Sequence, residues 1–99
     1  MIVKTDTKEK FHVITIKEAV LAANMTEELD KCLSPLLQND VKNVVLKMED
    51  IHTVEDAAAV YLAQVQQHFY ENNASFVICL LQPEVEAILE KLELLEVMN

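Results

Sequence analysis

Between Asp50 and Val65 the chain reads DIHTVEDAAAVYLAQV, and within it His52, Thr53, Glu55 and Asp56 carry groups that can do chemistry. Two adjacent carboxylates support general acid–base work when burial raises one pKa, and His52 could share the proton. The same residues admit a structural role. Thr53 and Asp56 fit [ST]-x-x-[DE] ahead of an apolar run, a capping box in which both side chains satisfy free backbone N–H groups and the acid suits the positive end of the helix dipole. A third role, compatible with capping, is a surface that binds another protein.

The remaining reactive side chains form no comparable group. His12, His52 and His68 fall on a strand, a turn and a helix, without the i, i+4 spacing of a helical metal pair and without neighbouring cysteines. Neither a metal nor a cofactor is expected. Cys32 and Cys79 lie far apart in apolar surroundings with no CxxC spacing, which predicts two buried, reduced thiols. Glu84, Glu86, Glu90, Glu93 and Glu96 form a solvated helix face that could also guide a basic partner through its field. Tyr61, Phe69 and Tyr70 read as packing around a helix stripe, because a stacking platform for bases normally comes with basic residues.

The totals narrow the classes further. Seventeen acidic side chains against eight lysines give a net charge of −9, and arginine is absent, so a nucleic-acid backbone would be repelled. Partners should be proteins with a basic patch of their own. Glycine is absent too, where average usage of about 7% would supply several. A P-loop, a dinucleotide fingerprint and a nucleophile elbow all need backbone that a Cβ would block. Enzymes built on such sites are excluded. Neither a signal peptide nor a membrane span is expected, since apolar runs are short and broken by charge, and a cytoplasmic location follows as the expectation. At 99 residues, about half of them apolar, residues 1–99 are expected to form a single domain with one modest core.

These residues need elements to position them. MIVKT and FHVITI are β-rich runs around the polar DTKEK, which predicts a hairpin, and AVLAA is a weaker third strand. From Asn24 the period changes: Leu29, Cys32, Leu33 and Leu36 recur at helical spacing, with Asn24 or Thr26 as cap, and Pro35 ends or kinks that helix near Ser34. NVVLKM and SFVICLL read as central strands. Between them lies a helix with Ala58, Leu62, Val65 and Phe69 on one stripe, closed by a left-handed cap at Asn72 and Asn73. Pro83 opens a last helix with Val85, Ile88, Leu89, Leu92 and Leu95 on its apolar side. The fold class is α/β: a mixed β-sheet with an N-terminal hairpin and later parallel strands, covered by amphipathic helices.

That order, with the spacing of the opening stretch, resembles the STAS family, which includes bacterial anti-sigma factor antagonists, from roughly Phe11 to Leu95. The family reads "vvlDls…v.fiDSSGL" from a central strand into a helix, and here the run is VVLKMEDIHTVEDAAAVYL. Val44, Val45 and Leu46 match the strand, Lys47 replaces its Asp, and Ile51 and Val54 keep the apolar spacing. Glu55 replaces the second Asp. Asp56 falls on the serine that the family phosphorylates, and Ala57, Ala58 and Ala59 take the following Ser-Gly-Leu. Upstream, AVLAANMTEEL is similar to GELDAA…PEL, with Ala19 for Gly and Ala22 for Asp, and LLQPEVEAILEKLEL is similar to the closing strand and helix.

The resemblance implies a protein-binding switch rather than a catalyst, a STAS-like sandwich in which the dephosphorylated form binds a kinase-like anti-sigma factor. Asp56 offers no hydroxyl, so serine phosphorylation at that position is not expected; Asp56 could mimic the phosphorylated state, or Thr53 could be a displaced acceptor. The surface implied comprises Asn24, Met25, His52, Thr53, Glu55, Asp56, Ala57 and Ala58. Alternatively the domain docks on the ATPase of a lipid or solute transporter, and an apolar surface could pair two copies as a homodimer.

Overall fold

The polar run after the first strand turns the chain back on itself. In the computed structural model, which describes residues 1–94, the Lys8 N–H donates to the Phe11 carbonyl at 2.8 Å. The turn joins β1 (Val3–Thr7) to β2 (His12–Ile16) in antiparallel register from Val3↔Ile16 to Thr7↔His12. There follow β3 (Val20–Leu21), a 3-10 turn (Ala23–Met25), α1 (Thr26–Leu33), a second 3-10 turn (Ser34–Gln38), β4 (Val44–Lys47), β5 (Thr53–Val54), α2 (Asp56–Glu71), β6 (Phe76–Cys79) and α3 (Pro83–Lys91). The main sheet has four strands in the order β1-β2-β4-β6, with β2–β4 and β4–β6 parallel, while β3 and β5 form a separate parallel pair.

This is the expected mixed sheet, hairpin first and parallel pairs later. Both crossovers step the same way along it, and a right-handed connection then puts α1 and α2 on one face. The core agrees: Ile14, Ile16, Val44, Leu46 and Phe76 meet Leu29, Leu33, Leu62, Phe69, Val85 and Leu89 in one buried cluster. Strand alternation sends Val13, Val45 and Val77 to the other face, where they stand in register across β2, β4 and β6.

Local chemistry explains where the elements end. Pro35 cannot continue α1, which closes at Leu33 and passes into the 3-10 turn. α2 ends with Asn73 at φ 60°, and the Ala74 N–H reaches back to the Phe69 carbonyl at 2.9 Å, the wrap of a Schellman cap. With no glycine available, Leu80 (φ 59°) and Glu93 (φ 58°) also take left-handed backbone.

Several expectations require correction. SFVICLL was expected as a central strand, and among the described strands β6 stands last in the main sheet, beside β4 alone. Neither Asn24 nor Thr26 caps α1: the preceding 3-10 turn leads straight into it, Met25 holds the cap position without a side-chain bond, and Thr26 Oγ1 donates to the Ala23 carbonyl at 3.0 Å. Cys32 is exposed and Cys79 half-buried, because Cys32 falls beside the Leu29–Leu33 stripe and Cys79 points from the sheet face opposite the helices. Tyr70 is exposed, while Phe69 packs on Phe76 with ring centroids 5.0 Å apart. Leu95 and Glu96 lie outside the described residues.

Candidate functional site

The corner between β5 and α2 is held from the side by β3. Val20 pairs with Thr53 and Leu21 with Val54, and both the His52 and Thr53 N–H groups donate to the Ala19 carbonyl, at 2.8 and 3.2 Å. The Glu55 N–H continues the ladder to the Leu21 carbonyl at 2.9 Å. Thr53 is thereby drawn into a strand, too far back to cap α2. Glu55 takes the cap position in extended backbone (φ −71°, ψ 151°), its carbonyl accepts the first helical bond from Ala59 at 3.0 Å, and Asp56 is the first helical residue. The capping box expected of Thr53 and Asp56 is therefore not formed.

The Glu55 side chain has a different task. Its Oε1 accepts the Ala23 N–H at 2.6 Å, satisfying the start of the 3-10 turn that carries Asn24 and Met25. A bond across 32 positions of sequence thus fixes the turn against the helix start. Met25 braces it from within, its Sδ accepting the Ala22 N–H at 3.4 Å, and Asn24 stays exposed.

The loop before β5 is tied in the same way. His52 Nδ1 lies 2.8 Å from Glu84 Oε1 at the start of α3, Gln82 Nε2 donates to the Glu49 carbonyl at 2.7 Å, and Lys17 pairs with Asp50 at 3.3 Å. Behind the corner, the Tyr61 hydroxyl of α2 donates to Asp30 Oδ1 of α1 at 2.9 Å, and Ser34 Oγ donates to the same oxygen at 2.8 Å. Burial, reinforced by the Asp30 carboxylate, pushes the Tyr61 phenol well above its ordinary range.

The structure brings Asn24, Met25, His52, Thr53, Glu55, Asp56 and Ala57 to one end of the molecule, with Glu55, Asp56 and Ala57 all exposed. Ala58 belongs to the set by position only: it is fully buried and supports the corner from beneath. Val20, 42% exposed and paired with Thr53, adds an apolar side chain that nothing in the sequence marked for this surface.

General acid–base chemistry lacks its physical condition here, because neither carboxylate is buried. A groove of about 450 Å³ lies elsewhere on α2, lined by Val60, Ala63, Gln64, Gln67 and Leu94, and it is mainly apolar. Among the described residues no three His, Cys, Asp or Glu side chains come together as metal ligands, and no helix is long and apolar enough to cross a membrane.

Known proteins agree with this architecture. The family model for the STAS domain matches residues 3–99. Among solved structures, the anti-sigma factor antagonist SpoIIAA in its unphosphorylated form is similar with a TM-score of 0.78 at 12% identity, over 99% of this chain and 86% of that one. A sulfate transporter family protein from Wolinella succinogenes gives 0.79 at 11% identity, over 95% of this chain and 75% of that one. The murine Solute Carrier 26 family member A9 anion transporter gives 0.67 at 10% identity, over 82% of this chain but 13% of the transporter. No curated protein matches in sequence.

Proposed function

This chain belongs to the STAS domain family, and from that premise we propose that residues 1–99 act as one non-catalytic, protein-binding domain of a bacterial cytoplasm, resembling an anti-sigma factor antagonist. The binding surface in this proposal is the corner of Asn24, Met25, His52, Thr53, Glu55, Asp56 and Ala57, seated on Ala58. One observation carries it. Asp56 stands exposed at the first position of α2, and Glu55 locks the neighbouring turn to it; the sequence resemblance matches this position to the serine that the family phosphorylates.

A carboxylate shares the sign of a phosphoserine but carries a smaller charge and fewer acceptor oxygens, and no hydroxyl is available for a kinase to use. The proposed module therefore binds its partner constitutively, and the partner is a kinase-like anti-sigma factor with a basic surface. The test is a tagged pull-down with identification of the captured ATPase, followed by incubation with that ATPase and ATP. Recovery of a histidine-kinase-like protein with the mass of the bait unchanged supports the reading. A mass gain of one phosphate would reject it, and peptide mapping to Thr53 would place the switch there.

A second reading starts from two transporter proteins, one of the sulfate transporter family and one an anion transporter, that share the fold. In it the same corner docks on a transporter, for which the ATPase of a lipid or solute transporter is the candidate partner, and the pull-down would return that subunit instead.

A further inference from the structure

Much of the corner's polar chemistry is already committed within the fold. Along β3 and β5 the His52 and Thr53 N–H groups donate to the Ala19 carbonyl at 2.8 and 3.2 Å, and the Glu55 N–H donates to the Leu21 carbonyl at 2.9 Å. In the adjoining turn the Met25 N–H donates to the Ala22 carbonyl at 3.0 Å, and the Ala23 N–H to Glu55 Oε1 at 2.6 Å. Two side chains are engaged as well, Glu55 by that bond and His52 by Glu84. Among the described residues of the corner, recognition of a partner then falls to the exposed side chains of Val20, Asn24, Thr53, Asp56 and Ala57.

Val20 differs from the other four. Strand alternation buries Leu21 and Val54 in the core and turns Val20 and Thr53 outward, which leaves Val20 42% exposed beside Thr53. It carries the largest apolar side chain of the five, since Ala57 offers a single methyl group. Met25 is half-buried, with its Sδ on the Ala22 N–H. Strand pairing holds the backbone of Val20, and branching at Cβ restricts its χ1, so little conformational freedom is lost when a partner covers it. Interfaces place such apolar groups at their centre and polar groups around the rim.

We propose that Val20 is the apolar anchor of the partner-binding corner, seated in an apolar socket of the partner whose rim carries lysine or arginine. This role rests on the function proposed above for the corner and adds a short-range attraction to it. The basic rim follows from charge: Asp56 stands three residues after Thr53, and a chain of net charge −9 draws a basic surface. Attraction between exposed charges is screened by salt and holds weakly. Burial of Val20 is not screened.

The test is calorimetric titration of the ATPase captured in the pull-down into the full chain, at low and at high salt, with circular dichroism to check that each variant is folded. Val20→Ala and Val20→Thr should each bind several-fold more weakly at both salt concentrations, the second because it keeps the branched shape but puts a hydroxyl into the socket. Asp56→Ala should lose several-fold at low salt and little at high salt. Val60→Ala, which trims the exposed valine of the α2 groove, should bind as the wild type does. Wild-type affinity in both Val20 variants overturns the anchor, and a weakened Asp56→Ala in the same series leaves the corner standing without it. A Val20 loss that vanishes at high salt, or an equal loss in Val60→Ala, also overturns the anchor. Equal affinity in every variant, Asp56→Ala included, or a pull-down that captures no ATPase, overturns anchor and corner together. If Val20→Ala fails to fold, Val20→Thr, which keeps a strand-forming residue, decides alone.

Discussion

Asp56 occupies a position where the unpaired N–H groups of the first helical turn favour a carboxylate by about 0.3–1 kcal/mol. Asp56→Ala is expected to lower stability by that amount in urea denaturation, and raising the salt concentration should shrink the difference. Glu55 acts differently, because its carboxylate accepts the Ala23 N–H at 2.6 Å. Glu55→Ala should cost roughly 1 kcal/mol and speed amide exchange at Ala23, whereas Glu55→Gln keeps an acceptor and should restore most of the protection. Equal exchange at Ala23 in all three proteins would remove the clamp. Leu80 holds left-handed backbone that costs a non-glycine residue roughly 1–2 kcal/mol. Leu80→Gly relieves that strain but loosens the unfolded chain by about 0.4–1 kcal/mol, so thermal unfolding should show a small net gain. The sequence revealed that Glu55 and Asp56 sit at a helix start. It hid the Ala23 bond, which exists only because β3 and β5 pair and bring distant segments together.

At the scale of elements, the Tyr61–Asp30 bond ties α2 to α1 behind the corner. Because the folded protein holds the Tyr61 pKa above its ordinary value of 10.0, the unfolded chain loses this proton first as pH rises. Its contribution is intact below about pH 10 and is lost above it, so alkaline unfolding should begin there. Tyr61→Phe should be less stable near neutrality by about 1 kcal/mol yet show a shallower alkaline decline, measured by denaturation at stepped pH. The strongly periodic elements were legible beforehand: the hairpin runs, the Ala58–Leu62–Val65–Phe69 stripe, the Pro35 break and the Asn73 cap all lie where their residue chemistry puts them. The capping box was misplaced because local sequence says nothing of Thr53 being recruited as a strand residue by Val20. Strands of two residues leave no periodic signal to find.

For the whole molecule, element order and the spacing of the VVLKMEDIHTVEDAAAVYL run were enough to indicate the STAS fold, which the family match over residues 3–99 bears out. What order could not convey was which sheet face the helices would cover, since that depends on packing between distant segments. The net charge of −9 acts at this scale as a long-range field. Association with a basic partner should slow steeply as salt rises, with dissociation much less affected, in surface-plasmon traces over a salt series. In the proposed function the corner around Asp56 binds that partner and its charge takes part in binding. Calorimetric titration of the captured ATPase into wild type, Asp56→Ala and Asp56→Ser tests it most directly. The two variants should bind several-fold more weakly, a difference of about 1 kcal/mol; three equal affinities among equally folded proteins would contradict it.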